Sequence, residues 1–303
     1  MQPIRLALIG IGKIARDQHL PAIAADAGFE LVAAVSRNSS VDDVAHFRDL
    51  DALIASGVEV DAVSLCTPPQ GRHLLAAQAL AAGWHVMLEK PPGVTPAEVR
   101  GLVPGDRTLF ASWHSREAAG VAPARAWLAG RRARSARIDW REDIRLWHPG
   151  QDWILAAGGM GVFDPGINAL SILTAILPGD VRVTSARLAV PVNRAAPIAA
   201  SLALACGEAA IAAEFDFLQQ GPQSWDIFVD TDAGQLALHD GGARLVIDGV
   251  AQPLADRGEY PGLYRRFAEL IATKQSDCDL APLELVAETL ARGETVTAPP
   301  FDF

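Results

Sequence analysis

The chain has 303 residues, half of them hydrophobic, and its 36 acidic against 26 basic side chains leave a formal net charge of −10 at neutral pH. That length supports two domains, each with its own core, and the acidic balance argues against a nucleic-acid backbone as partner. Cys66, Cys206 and Cys278 are odd in number, far apart and without metal-ligand spacing, which predicts no metal site and a reducing, cytoplasmic setting.

The run Ile4 to Ile9 is strand-like and meets Gly10-Ile11-Gly12-Lys13-Ile14-Ala15 directly, followed by a helix-compatible stretch to Ala25. Gly10 permits a tight turn, Gly12 lets the backbone approach a pyrophosphate, and Ala15 is small enough for close helix–strand packing. A pyrophosphate would then sit on the helix N-terminus, where N–H groups and the dipole favour anions. Gly10, Ile11, Gly12, Lys13 and Ile14 are therefore candidate cofactor contacts. The same segment is apolar from Leu6 to Ile14 but leads into a charged helix rather than a cleavage site, so it does not read as a targeting signal.

A second strand, Leu31 to Val35, ends at Ser36-Arg37-Asn38. Sites specific for NAD usually place an acidic residue there, on the adenine ribose. Arg37 can instead grip a 2′-phosphate through a bidentate contact, with Ser36 adding a hydroxyl donor. The predicted cofactor is NADP, with NAD as the lesser alternative; the competing reading of Arg37 is a plain surface arginine.

Further strands fall at 62–66 and 108–112, and Thr67-Pro68-Pro69-Gln70-Gly71 breaks the chain after the first of these. Thr67, Pro68, Pro69 and His73 are placed to border the cofactor. Leu74 to Ala82 repeats apolar residues at helical spacing, stops at Gly83 and gives way to the short strand His85 to Leu88. Glu89-Lys90-Pro91 follows, at the edge where doubly wound sheets hold their ligands. Glu89 and Lys90 thus read as a charged pair facing a ligand, against the alternative of a solvated pair ending an edge strand.

This alternation predicts a dinucleotide-binding Rossmann domain, a doubly wound parallel sheet, over residues 1–117. Residues 118–303 change texture. Strand-like runs at 136–140, 181–191, 198–206, 209–217, 225–229, 235–238 and 243–247 predict an α+β domain with a mixed or mainly antiparallel sheet and helices at 162–176, 263–273 and 283–291. The Ala-rich stretch 195–215 is interrupted by Glu208 and Glu214 and is too short to cross a membrane. It reads as two buried strands. Arg131-Arg132-Ala133-Arg134 is the one basic cluster and reads as solvated, and the lack of a low-complexity linker predicts a firm interface between the domains.

In Gly158-Gly159-Met160-Gly161-Val162-Phe163-Asp164-Pro165-Gly166-Ile167-Asn168, a glycine-rich loop would let the chain approach a ligand. Asp164 and Asn168, four residues apart, project from one face of the following helix. A carboxylate and an amide there suit recognition or deprotonation of a hydroxylated substrate. Alternatively Asp164 is an N-terminal cap ahead of Pro165.

Gly10-Ile11-Gly12, Glu89-Lys90-Pro91 and the glycine loop leading to Asp164 resemble the glucose-fructose oxidoreductase / inositol dehydrogenase (Gfo/Idh/MocA) family over essentially the whole chain. The longer strings 11–19, Trp113-His114-Ser115-Arg116, Trp147-His148-Pro149-Gly150-Gln151 and Ser224-Trp225-Asp226-Ile227 are similar to its bacterial D-galactose and L-arabinose 1-dehydrogenases. The resemblance implies a Rossmann domain followed by an open-faced sheet through which the chain forms a homo-oligomer. It also implies oxidation of the anomeric carbon of a pyranose of D-galactose, L-arabinose or D-fucose type to the lactone, with NADP or NAD accepting the hydride.

By the same resemblance Lys90, Asp164 and Asn168 surround the anomeric hydroxyl, and His114, Glu142, Trp147, His148 and Trp225 line the sugar pocket. Much of the family carries histidine, the general base, at the position of Asn168. An amide cannot take up a proton at neutral pH, so Lys90 and Asp164 must share the work. Lys90, neutralised by desolvation and the positive nicotinamide ring, is the favoured acceptor, with Asp164 holding the hydroxyl. A polyol or inositol-type dehydrogenase and a non-catalytic NADP-binding sensor are the alternatives.

Overall fold

The structure, a computed structural model, describes residues 2–303. It forms two compact units, one comprising the chain up to His114 with Arg257–Leu280, the other Ser115–Asp256 with Ala281–Phe303.

The first unit is built on six parallel strands, β1 (Ile4–Ile9), β2 (Phe29–Val35), β3 (Ala45–Phe47), β4 (Ala62–Leu65), β5 (His85–Leu88) and β6 (Leu109–Ala111), in the order β3-β2-β1-β4-β5-β6. Strand β1 is the hinge of this order, and Leu6, Ala7 and Leu8 within it are wholly buried. Near-continuous apolar runs of this kind belong to parallel strands covered on both faces. The covering helices are α1 (Leu20–Ala24), preceded by a π-helical turn at Ala15–His19, then α2 (Leu50–Ala55), α3 (Arg72–Ala81) and α4 (Pro96–Arg100).

The second unit begins with α5 (Val121–Leu128) and contains a nine-stranded sheet. Its strands are β7 (Ala133–Arg141), β8 (Val181–Pro191), β9 (Ala199–Cys206), β10 (Ala209–Asp216), β11 (Ser224–Thr231), β12 (Gly234–His239), β13 (Arg244–Ile247), β14 (Val250–Ala251) and β15 (Glu294–Ala298). They lie in the order β14-β13-β12-β11-β7-β10-β9-β8-β15, antiparallel except for the pairs β10/β7 and β15/β8. Two further helices of this unit precede β8: α6 (Ile144–Trp147) and α7 (Phe163–Ile176). One face of the sheet is buried: Ile138, Trp140, Leu202, Leu204, Ile211, Phe215, Ile227 and Leu236 all point into the core. Phe163 of α7 meets Phe215 edge-on at 5.5 Å.

On the other face Ser201, Ala203, Ala210 and Ala212 are exposed. The stretch 195–215 is therefore not a pair of fully buried strands. Its side chains alternate between core and exposed face, as the two-residue period of a strand requires.

Helix α8 (Glu259–Thr273) returns to the first unit and begins four residues earlier than the sequence pattern marks. A single boundary after residue 117 leaves it in the second domain. Instead its Tyr260, Leu263, Tyr264, Phe267 and Leu270 pack against Leu6, Phe29, Ala62, Met87 and Phe110 of the parallel sheet. Burying a side chain such as Phe267 contributes roughly 1.5–3 kcal/mol. Helix α9 (Ala281–Arg292) stays with the second unit, packed against α7 and β8. No helix among the described residues is long and apolar enough to cross a membrane.

Candidate active site

In the first unit the strand order reverses between β1 and β4, and the loops leaving these two strands meet there. Gly10 has φ +92°, and a Cβ on it would stand 2.8 Å from the Thr67 backbone nitrogen, so no side chain fits. Nothing lies within 4 Å of a Cβ built on Gly12. The two glycines thus do different things: one lets two loops touch, the other keeps open space where a pyrophosphate would approach. Ile11 and Ala15 are buried beneath the loop, whereas Ile14 is exposed and Lys13 pairs with Asp17.

Thr67 Oγ1 and His73 Nδ1 are buried without a hydrogen-bond partner, the imidazole nitrogen standing 3.5 Å from Glu98 Oε2. Orphaned buried polar atoms are rare, and Thr67 Oγ1, in the loop that touches Gly10, fits a polar cofactor. At the end of β2, Ser36 is half-buried and Arg37 exposed, while the Ser36 carbonyl is held by His46 Nε2 at 2.9 Å.

Lys90 follows β5, and the Lys90–Pro91 peptide is cis. Glu89 does not face a ligand beside it. Only 3 % exposed, it turns inward: its Oε2 accepts the Lys90 backbone N–H at 2.6 Å, and its Oε1 accepts the Tyr260 hydroxyl at 2.6 Å and His19 Nε2 at 3.1 Å. A buried carboxylate needs such donors to remain charged, and here three of them engage both oxygens. Burial pushes Glu89 up, but His19, His114 and Tyr260 outweigh it and hold the carboxyl down at about 2.

His19 is wholly buried and also meets the Tyr264 hydroxyl through Nδ1 at 2.8 Å. Burial works against its charge, but Cys66, Tyr264 and Glu89 overcome this and hold the imidazole well above its ordinary range. His19 and Glu89 are accordingly a buried pair, 3.1 Å apart, in which each favours the charged form of the other. Burial likewise lifts the Tyr264 hydroxyl to about 12. On the outer side of Tyr260, His114 stacks on the phenol at 5.5 Å and its Nδ1 lies 2.5 Å from Glu259 Oε2. The carboxylate fixes the tautomer, because Nδ1 must carry the proton toward it.

Four of the sequence-predicted pocket residues come together in the second unit. Glu142, 3 % exposed, accepts from His148 Nε2 at 3.0 Å through Oε1 and from Trp225 Nε1 at 3.0 Å through Oε2. Trp147 stands edge-on to Trp225 at 4.9 Å and is 41 % exposed. The cluster sits where β7 runs into α6: Glu142 follows the last residue of β7, Trp147 ends α6, His148 is its C-cap, and Trp225 comes from the neighbouring β11. Its chemistry matches a sugar: indoles for C–H faces, and an imidazole and a carboxylate for hydroxyls.

Asp164 and Asn168 lie one turn apart on α7; Asp164 is buried and Asn168 half-buried. Asp164 is not the helix cap. Val162 occupies that position, with no side-chain cap, and Asp164 lies inside the first turn. A carboxylate there is favoured by the helix dipole. The preceding glycines also differ from expectation: a Cβ on Gly159 would lie 2.2 Å from the Ile154 carbonyl oxygen, and one on Gly161 2.1 Å from that of Pro197. They serve close packing of the loop on its own chain rather than approach to a ligand.

Sequence reasoning missed His19, Arg72, Glu259, Tyr260 and Tyr264. Arg72 is buried, and its guanidinium donates to the carbonyls of Thr67, Glu89 and Pro91. Burial lowers it to about 10, with the charge of Glu89 opposing. Of these, only His19, on the cofactor-side turn of the glycine motif, carried any local signal.

A parallel sheet of order 3-2-1-4-5-6 with a glycine cradle and an orphaned polar atom at its reversal defines an NAD(P)-binding Rossmann protein. Residues 4–104 match the oxidoreductase family with an NAD-binding Rossmann fold, known as Gfo/Idh/MocA. The chain is 46 % identical to a galactose 1-dehydrogenase of Pseudomonas fluorescens, covering 99 % of each chain. The structure superposes on a D-galactose-1-dehydrogenase protein from Rhizobium etli with a TM-score of 0.95 at 51 % identity, covering 100 % of this chain and 99 % of that one. A 3-ketoreductase from Actinomadura kijaniata, solved with NADP and TDP-benzene, shares the fold with a TM-score of 0.84 at 19 % identity, over 98 % of this chain and 100 % of that one. The chain belongs to the Gfo/Idh/MocA oxidoreductase family.

Proposed function

We propose that this chain is an aldose 1-dehydrogenase of galactose type, oxidising the anomeric carbon of a pyranose to the aldonolactone. The observation that carries this reading is the full-length likeness to two galactose 1-dehydrogenases, and the Glu142–His148–Trp225 cluster with its Trp147 flank supports it chemically. When bound, the nicotinamide supplies the hydride acceptor. Gly10, Gly12, Thr67 and His73 hold the cofactor, and Arg37 with Ser36 favours the 2′-phosphate of NADP.

Lys90 takes the anomeric proton, because Asn168 cannot. Asp164 and Asn168 orient the hydroxyl. His148 and Trp225, held by Glu142, meet the ring substituents and its C–H face, and His114, its tautomer set by Glu259, accepts from a further hydroxyl through Nε2. The exposed face of the nine-stranded sheet, where Ser201, Ala203, Ala210 and Ala212 lie among the charged Arg137, Arg141, Arg187 and Glu214, is the surface through which copies of the chain associate.

A steady-state panel of D-galactose, L-arabinose and D-fucose with NADP and NAD, followed by reduced-nicotinamide absorbance, tests the reading. Turnover with at least one of these aldoses and higher kcat/KM for NADP is expected. Turnover only with a polyol or inositol would reassign the substrate, and cofactor binding without any turnover would make the chain a sensor.

A further inference from the structure

Arg72 is the buried charged group that the proposed chemistry leaves unused. Its position is unusual: the first residue of α3, with its guanidinium directed entirely at backbone carbonyls. One of these, Thr67 O, lies in the loop after β4, reached by Nε at 3.1 Å. The other two, Glu89 O and Pro91 O, stand on either side of Lys90. The Lys90 N–H is meanwhile accepted by Glu89 Oε2 at 2.6 Å, and that carboxylate is held from behind by His19 and Tyr260.

The carbonyls of Glu89 and Pro91 and the N–H of Lys90 are thus each tied to a buried charged side chain. A lysine in Arg72's place could not do this, since an ammonium is a point donor and cannot fork across two loops. Nor is the site a mere relief of buried carbonyls. Such carbonyls at a loop are ordinarily left to water or to other backbone groups, which do not require a buried cation.

We infer that Arg72, together with Glu89 and its partner His19, is a positioning unit that fixes the Lys90 backbone against the loop after β4, so that the Lys90 amine is presented at one place. The inference rests on Lys90 being the proton acceptor of the proposed dehydrogenase. Misplacement of a catalytic group by about 1 Å can cost around a hundredfold in rate. Loss of the clamp therefore acts on kcat more than on substrate affinity.

The test uses the full-length chain and the variants Arg72→Lys, Arg72→Ala and Tyr260→Phe, the last removing a single donor to Glu89 while keeping the ring. Two readouts are taken. The first is kcat and KM with the best aldose of the panel. The second, independent of activity, is competitive acetylation of Lys90 by acetic anhydride, quantified by peptide mass spectrometry against the exposed Lys274.

Arg72→Lys is expected to lose at least tenfold in kcat with KM changed less than threefold, and its Lys90 is expected to acetylate several-fold faster than in the parent chain. Tyr260→Phe should show the same pattern more weakly. Millimolar guanidinium should restore part of the kcat, and slow Lys90 acetylation, in Arg72→Ala but not in Arg72→Lys. Folded Arg72→Lys protein with parental kcat and parental Lys90 reactivity would overturn the inference. So would activity lost only in proportion to unfolded protein, without a change in Lys90 labelling. If the parent chain oxidises no aldose, the acetylation arm still decides the positioning role, and the failure falls on the proposed function alone.

Discussion

Glu89 and Glu142 are equally buried carboxylates, each 3 % exposed and each with both oxygens engaged, yet they are held in opposite ways. Glu89 sits in a closed cluster whose partners are a wholly buried imidazole, a buried phenol and the peptide of its neighbour. Glu142 is gripped by His148 and Trp225, which are only half-buried, with the exposed Trp147 beside them. Under the proposed function the difference separates two demands. A proton acceptor has to be delivered to one place, so its support is charged, dry and continuous with the core of α8. A sugar has to be read through several hydroxyls, so the supporting carboxylate orients side chains that still reach solvent.

If that contrast is right, truncation should have unequal consequences. Glu89→Ala leaves His19, Tyr260 and the Lys90 N–H without their acceptor. Breaking a buried pair from one side costs about 3–5 kcal/mol, and urea unfolding should show a loss of that order. The pH dependence follows from the same pair. The folded carboxyl of Glu89 lies near 2, below its ordinary 4.5. Its stabilising contribution is complete above about pH 4.5 and is lost as the pH falls towards 2.

His19 has the opposite sign. Raised above 6.5, its contribution is complete below that value and is lost as the pH rises through the folded value. The melting temperature, followed by circular dichroism, should therefore fall on the acid side in the parent chain and do so less steeply in Glu89→Gln.

Glu142→Gln should be milder in stability and sharper in recognition. The amide can still accept one of the two bonds, and misdirecting His148 or Trp225 costs about 1–3 kcal/mol, read as a roughly tenfold to hundredfold rise in the KM for the sugar with kcat less affected. A comparable KM effect from Glu89→Gln would erase the distinction. The smallest effect expected is at the cofactor: Ser36→Asp brings a carboxylate to the 2′-phosphate, and kcat/KM for NADP should fall about tenfold while that for NAD holds or rises. Unchanged ratios would remove Arg37 and Ser36 from cofactor selection.

Much of this was legible in the chain itself, because local signals specify local structure. The strand-to-glycine junction at Ile9-Gly10 and the helix stop at Gly83 both follow from backbone sterics, whereas the outward face of β9 and β10, in a stretch that reads as two buried strands, shows only once the sheet is formed. The Glu142, Trp147, His148 and Trp225 set came from resemblance, and the structure brings the four together.

What the sequence concealed was long-range. Tyr260 lies 171 residues from Glu89 and Tyr264 lies 245 from His19, and nothing in the pattern around either tyrosine announces a carboxylate or an imidazole. Helix α8 reads as an ordinary amphipathic helix, and its apolar stripe fits either unit. Arg72 carries no signal in the sequence, since only the folded loops bring three carbonyls to it. The inward turn of Glu89 was hidden for the same reason: a Glu-Lys pair after a strand carries no information about which of the two side chains the core will claim.

The contrast between the two carboxylates has meaning only if Lys90 does the chemistry that its support implies. Turnover of Lys90→Ala with D-galactose and NADP, measured at neutral pH beside a check that the variant still binds cofactor, is the most direct measurement. Loss of the acceptor should lower kcat by about a hundredfold to ten-thousandfold with cofactor binding retained. Near-parental kcat would contradict the assignment of Lys90.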